Sequence, residues 1–253
     1  MMACVYAIDW STVWRPCIYL MLAGQSPYQN ASFFGPPWAL FPLVPLALLP
    51  ETVGRFLLLA LCFSAFAYAA LRLGAGRLTL PLFLLSPMVL MSLYVGNLDG
   101  LVLLGAVLPP WIGLFFLTIK PQVGFVLILF IAVDCYRRGG PLHLARAFAP
   151  ISLAFLLSLM LYGPWPLRVA TAHEPLDPNN ASLMPLSLPF GLALAVAGFR
   201  LRRGSLALAS GPLLTPYLSF QSYAACLVPL FACPVEMAVL VGALWGLMLL
   251  PQI

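Results

Sequence analysis

The feature that most constrains this chain is a succession of apolar runs divided by short polar breaks and small clusters of arginine. The runs cover residues 57–71, 78–94, 122–136, 147–162, 183–199, 206–220 and 235–250, with shorter ones at 101–108, 111–119 and 224–233. Only 8% of the residues are charged and 63% are hydrophobic, whereas a soluble domain carries roughly 25% charged residues. No aqueous fold can hide that much apolar surface. The expected fold is all-α: a polytopic transmembrane bundle of about eight to ten spans, some short or re-entrant. Because the runs are continuous rather than alternating, a porin-like barrel is disfavoured. One integral membrane domain is expected over 1–253, with 9–50 as an external juxtamembrane segment and 51–253 as the bundle.

Charge placement orients such a bundle. The net charge of +5 is not a nucleic-acid signal, since eight of the eleven arginines fall in three connections between apolar runs. These are Arg72 and Arg77; Arg137, Arg138 and Arg146; and Arg200, Arg202 and Arg203. By the positive-inside rule they are cytoplasmic. With alternating spans, Asp9, Asn97, Asp99, Lys120, Gln221 and the loop 163–182 then face the other side. The stretch 98–119 is ambiguous. It reads as two half-helices or a re-entrant pair, or as one span, in which case Asn97 and Lys120 lie on opposite sides. The six cysteines lack metal-ligand spacing and read as small packing residues. Residues 1–8 are too short for a signal peptide or a span.

Several polar features occur in a fixed order. Asp9-Trp10 is followed by Gly24-Gln25-Ser26-Pro27-Tyr28, by Pro36-Pro37 and a proline-punctuated run to Pro50, by Gly96-Asn97, and by Lys120-Pro121. This order resembles the GT-C superfamily of polytopic glycosyltransferases, most closely the branch that uses polyprenyl-phosphate-mannose. The resemblance covers Asp9 to Arg138, with a looser late match at Leu214-Thr215-Pro216-Tyr217 and Gln221-Ser222-Tyr223. It implies that Asp9 is the catalytic acid of the first external loop. It also implies that 11–23 and 36–49 are juxtamembrane helices, and that Lys120 stands at the external end of a helix. The family carries a transmembrane helix ahead of this acid, so a protein partner or a second copy of the chain is expected to cover that position.

The expected activity is transfer of a mannose-like sugar from a polyprenyl-phosphate donor to an acceptor on the extracytoplasmic face of a bacterial cytoplasmic membrane. Asp9 is the expected general base; its alternative role is an N-cap for 11–23. Lys120, the only lysine, is expected to neutralise the lipid-linked phosphate, or else to snorkel at a helix end. Arg15 is a second candidate for the phosphate, Tyr28 for stacking on a sugar, and Asn97 and Asp99 for sugar hydroxyls. Gln221, Arg168 and His173 complete the candidate binding set, with Glu174 and Asp177 in the same loop as His173. Trp10, Trp14 and Trp38 read as an interfacial aromatic belt, and Asp134 and Glu236 as structural. Asn30-Ala31-Ser32 and Asn180-Ala181-Ser182 are formal glycosylation sequons. No cofactor is expected, a divalent cation is left open, and the partners are the bilayer and the lipid-linked sugar rather than nucleic acid. The alternative is a non-catalytic subunit of a larger membrane complex built on a truncated fold of the same kind. A transporter is disfavoured, with no inverted repeat and no row of intramembrane acids.

Overall fold

A computed structural model describes residues 6–171 and 179–249, and every regular element among them is helical. His173, Glu174 and Asp177 lie outside the described residues. The chain opens with a π-helical turn, Trp10–Trp14, that runs into α1 (Arg15–Leu22). The segment expected as a second juxtamembrane helix is instead a staircase of turns: Pro37–Ala39, Phe41–Leu43 and the single-turn α2 (Val44–Ala47). Prolines at 36, 37, 42 and 45 remove amide donors every few residues, so no longer helix can propagate.

The bundle follows. It begins with α3 (Glu51–Arg72), α4 (Thr79–Leu84), α5 (Pro87–Val95), α6 (Asp99–Gly105) and α7 (Pro110–Leu117). Next come α8 (Pro121–Tyr162), α9 (Trp165–Thr171), α10 (Leu188–Leu201) and α11 (Gly204–Ser210). A 3-10 stretch, Phe220–Ala232, leads to α12 (Pro234–Leu249). Within α8 the backbone leaves helical geometry at Gly139 and Gly140, so two helices meet there at a kink. Of the eight to ten crossings expected, α3 and α8 are long and apolar enough to cross a membrane; α5 and α6, bent by 117°, make a third if taken as one span. These candidate spans support an integral membrane protein. Their outer faces agree: Phe56, Leu57 and Phe63 on α3, and Leu153, Leu156 and Met160 on α8, are all exposed.

Two local features place the polar residues. The first is the end of α5. Gly96 takes the left-handed conformation (φ 82°). The Asn97 amide bonds back to the Ser92 carbonyl at 2.8 Å and the Gly96 amide to that of Leu93 at 3.1 Å. This closes the helix C-terminus in the way glycine favours and throws the chain into α6. The second is the α6–α7 hairpin. A Cβ on Gly113 would lie 2.3 Å from the Gly105 carbonyl oxygen, and one on Gly105 would lie 2.7 Å from that of Gly113. Small residues let the two backbones touch. The hairpin enters and returns, so Asp99 at its start and Lys120 just past its end come together. The stretch 98–119 is therefore two short helices folded as a hairpin, and not one continuous helix.

Candidate functional site

Asp9 sits one residue ahead of the π-helical turn, half-buried. Its depth is set by contacts on both sides. The Ala7 amide donates to the Tyr94 carbonyl. The Trp10 indole donates to the Glu51 carbonyl at 3.1 Å, and the Trp14 indole to the Gly96 carbonyl at 2.9 Å. Trp10, Trp14 and Trp38 are all buried. They pin the N-terminal segment to the bundle and do not form the expected interfacial belt. A buried indole needs a partner for its N–H, and Trp38 finds one in the Thr118 hydroxyl at 3.1 Å.

The Asn97 amide nitrogen lies 3.4 Å from Asp9 Oδ2, while its own oxygen accepts from the Leu98 amide at 2.7 Å. Two residues on, Asp99 is buried, and Lys120 Nζ donates to both of its oxygens at 3.0 and 2.9 Å. A further N–H reaches the Ser222 hydroxyl at 3.0 Å, and Ser222 in turn donates to Asp99 Oδ1 at 2.8 Å. Ser92 stands 3.4 Å from Asp99 Oδ2. The three N–H groups of the ammonium thus have three acceptors. Burial pushes the Asp9 carboxyl up from its ordinary 3.8 to about 6, with Lys120 pulling it down and Asp99 pushing it up. A carboxylate with that proton affinity suits a general base working near neutral pH.

The structure therefore brings Asp9 against Asn97 and, two residues further along the chain, Asp99 against Lys120. It also adds Ser222 and Ser92. Ser222 was visible in the sequence only as the neighbour of Gln221, in a polar break of an apolar run. Ser92 gave no signal, since a serine inside an apolar stretch is ordinary.

Other candidates are placed differently. Arg15 reaches toward the Leu49 carbonyl at 3.5 Å and lies over the Tyr19 ring, 5.0 Å from its centroid, rather than at Asp9. Tyr28 is buried, stacked on Trp165 at 5.6 Å, and its hydroxyl donates to the Gly35 carbonyl at 2.9 Å. Its ring already has the stacking partner that a sugar was expected to be. Lys120, expected to await a phosphate, has Asp99 as counter-ion. Gln221 is buried beside Ser222, and Arg168 is exposed on α9. Asp134 pairs with Arg138 one turn on at 2.8 Å, and Glu236 stands in the first turn of α12, where an acid suits the helix dipole. Both sequon asparagines are engaged internally: Asn30 donates to the Thr12 carbonyl at 2.8 Å, and Asn180 to that of Pro216 at 3.0 Å.

An apolar cavity of about 630 Å³ is lined by Trp38, Leu114, Thr118, Pro121, Phe155 and Trp165 among others. Its lining includes Pro121, the residue after Lys120, but none of Asp9, Asn97, Asp99, Lys120 or Ser222. Among the described residues no group of three or more His, Cys, Asp and Glu side chains is placed to hold a metal ion. No protein-family model, no curated protein and no solved structure matches this chain.

Proposed function

We propose that the protein is a polytopic membrane glycosyltransferase of GT-C type, moving a sugar from a polyprenyl-phosphate donor to a hydroxyl acceptor on the extracytoplasmic face. The observation that carries this reading is Asp9. It is a half-buried carboxylate outside the candidate spans, with Asn97 beside it and its proton affinity raised to about 6. In the proposed step the acceptor O–H gives its proton to Asp9. The acceptor oxygen bonds to the anomeric carbon, and the bond from that carbon to the phosphate oxygen breaks, its electron pair leaving with the lipid phosphate. The apolar cavity lined by Trp38, Pro121 and Trp165 supports a donor carried on hydrocarbon. Lys120 acts through its field rather than by direct contact while Asp99 holds it.

The test is transfer of radiolabelled sugar from polyprenyl phosphate in membranes holding equal amounts of wild type and Asp9→Asn. Loss of about 10²–10⁴-fold in rate is expected for a general base; full activity in Asp9→Asn would remove the catalytic claim. The alternative, a non-catalytic subunit of a larger membrane complex, is favoured by one observation: Lys120 and Tyr28, two of the expected substrate contacts, are both engaged within the chain.

A further inference from the structure

The cluster contains one acid that the proposed step does not use. Asp99 is 5% exposed and accepts from Lys120 through both oxygens. Ser222 bridges the two, accepting from the lysine and donating to the carboxylate. A carboxylate placed there has a consequence for its neighbour across Asn97. A free cation near Asp9 would favour its ionised form and make it a poor proton acceptor at neutral pH. A cation locked against a carboxylate presents a short dipole instead of a net charge.

We propose that Asp99 is a positioning residue for Asp9: by holding Lys120 in a closed ring with Ser222, it offsets part of the cation's pull at the site and leaves Asp9 able to accept a proton. This rests on the reading of Asp9 as the general base. Burial is the main cause of the raised proton affinity of Asp9; Lys120 opposes it, and the smaller push of Asp99 offsets part of that opposition. Among the described residues no other charged group enters the balance. On α3, Glu51 and Arg55 pair at 2.7 Å and close on Ser11. Arg15 on α1 is turned to Leu49 and Tyr19. From α5 and from Phe220–Ala232 the groups that enter the cluster are the neutral Ser92 and Ser222.

The experiment follows the Asp9 carboxyl itself, by infrared difference between each protein and its Asp9→Asn counterpart across a pH series in detergent. No substrate is required. In wild type the midpoint should lie near 6. In Asp99→Asn it should fall by on the order of one pH unit or more, because Lys120 is then uncompensated. An unchanged midpoint overturns the proposal. Should Asp99→Asn not accumulate, Lys120→Gln and the double variant Asp99→Asn/Lys120→Gln carry the test. The first should titrate above wild type and the second back near it; equal midpoints in those two overturn the proposal. Where transfer is measurable, the acidic limb of the rate profile should move with the midpoint. A carboxyl that titrates as expected in a protein with no transfer at any pH would defeat the glycosyltransferase reading and leave the charge compensation standing.

Discussion

Lys120 and Asp99 show what a buried charge demands of its surroundings. Each is nearly out of solvent, with side-chain exposures of 12% and 4%, and each is the other's counter-ion. Removing one partner strands the other, which costs about 3–5 kcal/mol in buried pairs. Lys120→Met should therefore lower the melting temperature steeply, and Lys120→Met/Asp99→Leu should recover much of the loss, both read by thermal unfolding in detergent. Asp9 behaves in the opposite sense. Its folded carboxyl holds a proton up to about pH 6, whereas the unfolded one releases it near 3.8. The folded state thus loses stability as pH rises between those values and stays penalised above them. Asp9→Asn should melt higher than wild type at about pH 8, with the gap closing below about pH 4. Asp9 and Lys120 were legible in the sequence because an acid and a sole lysine stand out against apolar runs. Asn97 and Asp99 were legible as polar residues in a break between apolar runs, but the two serines that join them were not. Ser222 and Ser92 become functional neighbours only when three separate helical segments converge, and no spacing in the chain records that.

At the scale of elements, the α6–α7 hairpin decides whether the pair can form at all. Gly113→Ala would push a methyl against the Gly105 carbonyl, and overpacking of this kind costs about 1–3 kcal/mol. It should also loosen the hold of Asp99 on Lys120, so the melting temperature and the Asp9 midpoint should move together. Gly242→Ala on α12 meets nothing within 4 Å and should be neutral or stabilising by about 0.5–1 kcal/mol; equal losses in the two variants would refute the role given to the hairpin. The short length of 101–108 and 111–119 announced this element correctly. The run 78–94 did not announce its break. Hydropathy is continuous there, but Pro87 cannot give an amide to the preceding turn, so the helix stops at Leu84 and restarts as α5. The connection expected within 137–146 is present but short: helical geometry is lost at Gly139 and Gly140, with helix on either side.

For the whole molecule, orientation is the property on which the proposed chemistry depends. In a background whose own cysteines are replaced by alanine, Arg138→Cys should resist an impermeant thiol reagent added to intact cells, and Gln25→Cys, in the exposed turn after α1, should react with it. The reverse pattern would put Asp9 on the cytoplasmic face and end the case for an extracytoplasmic transferase. The clamp that holds Asp9 has a further consequence. Ala7 and Gly96 both have positive φ, and a Cβ on Gly96 would lie 2.9 Å from the Ala7 Cα and Cβ. Neither position can grow without moving the other, and moving either displaces the carboxylate between them. In any related chain that keeps this acid in place, the two positions are therefore expected to stay small together, although they are far apart in sequence.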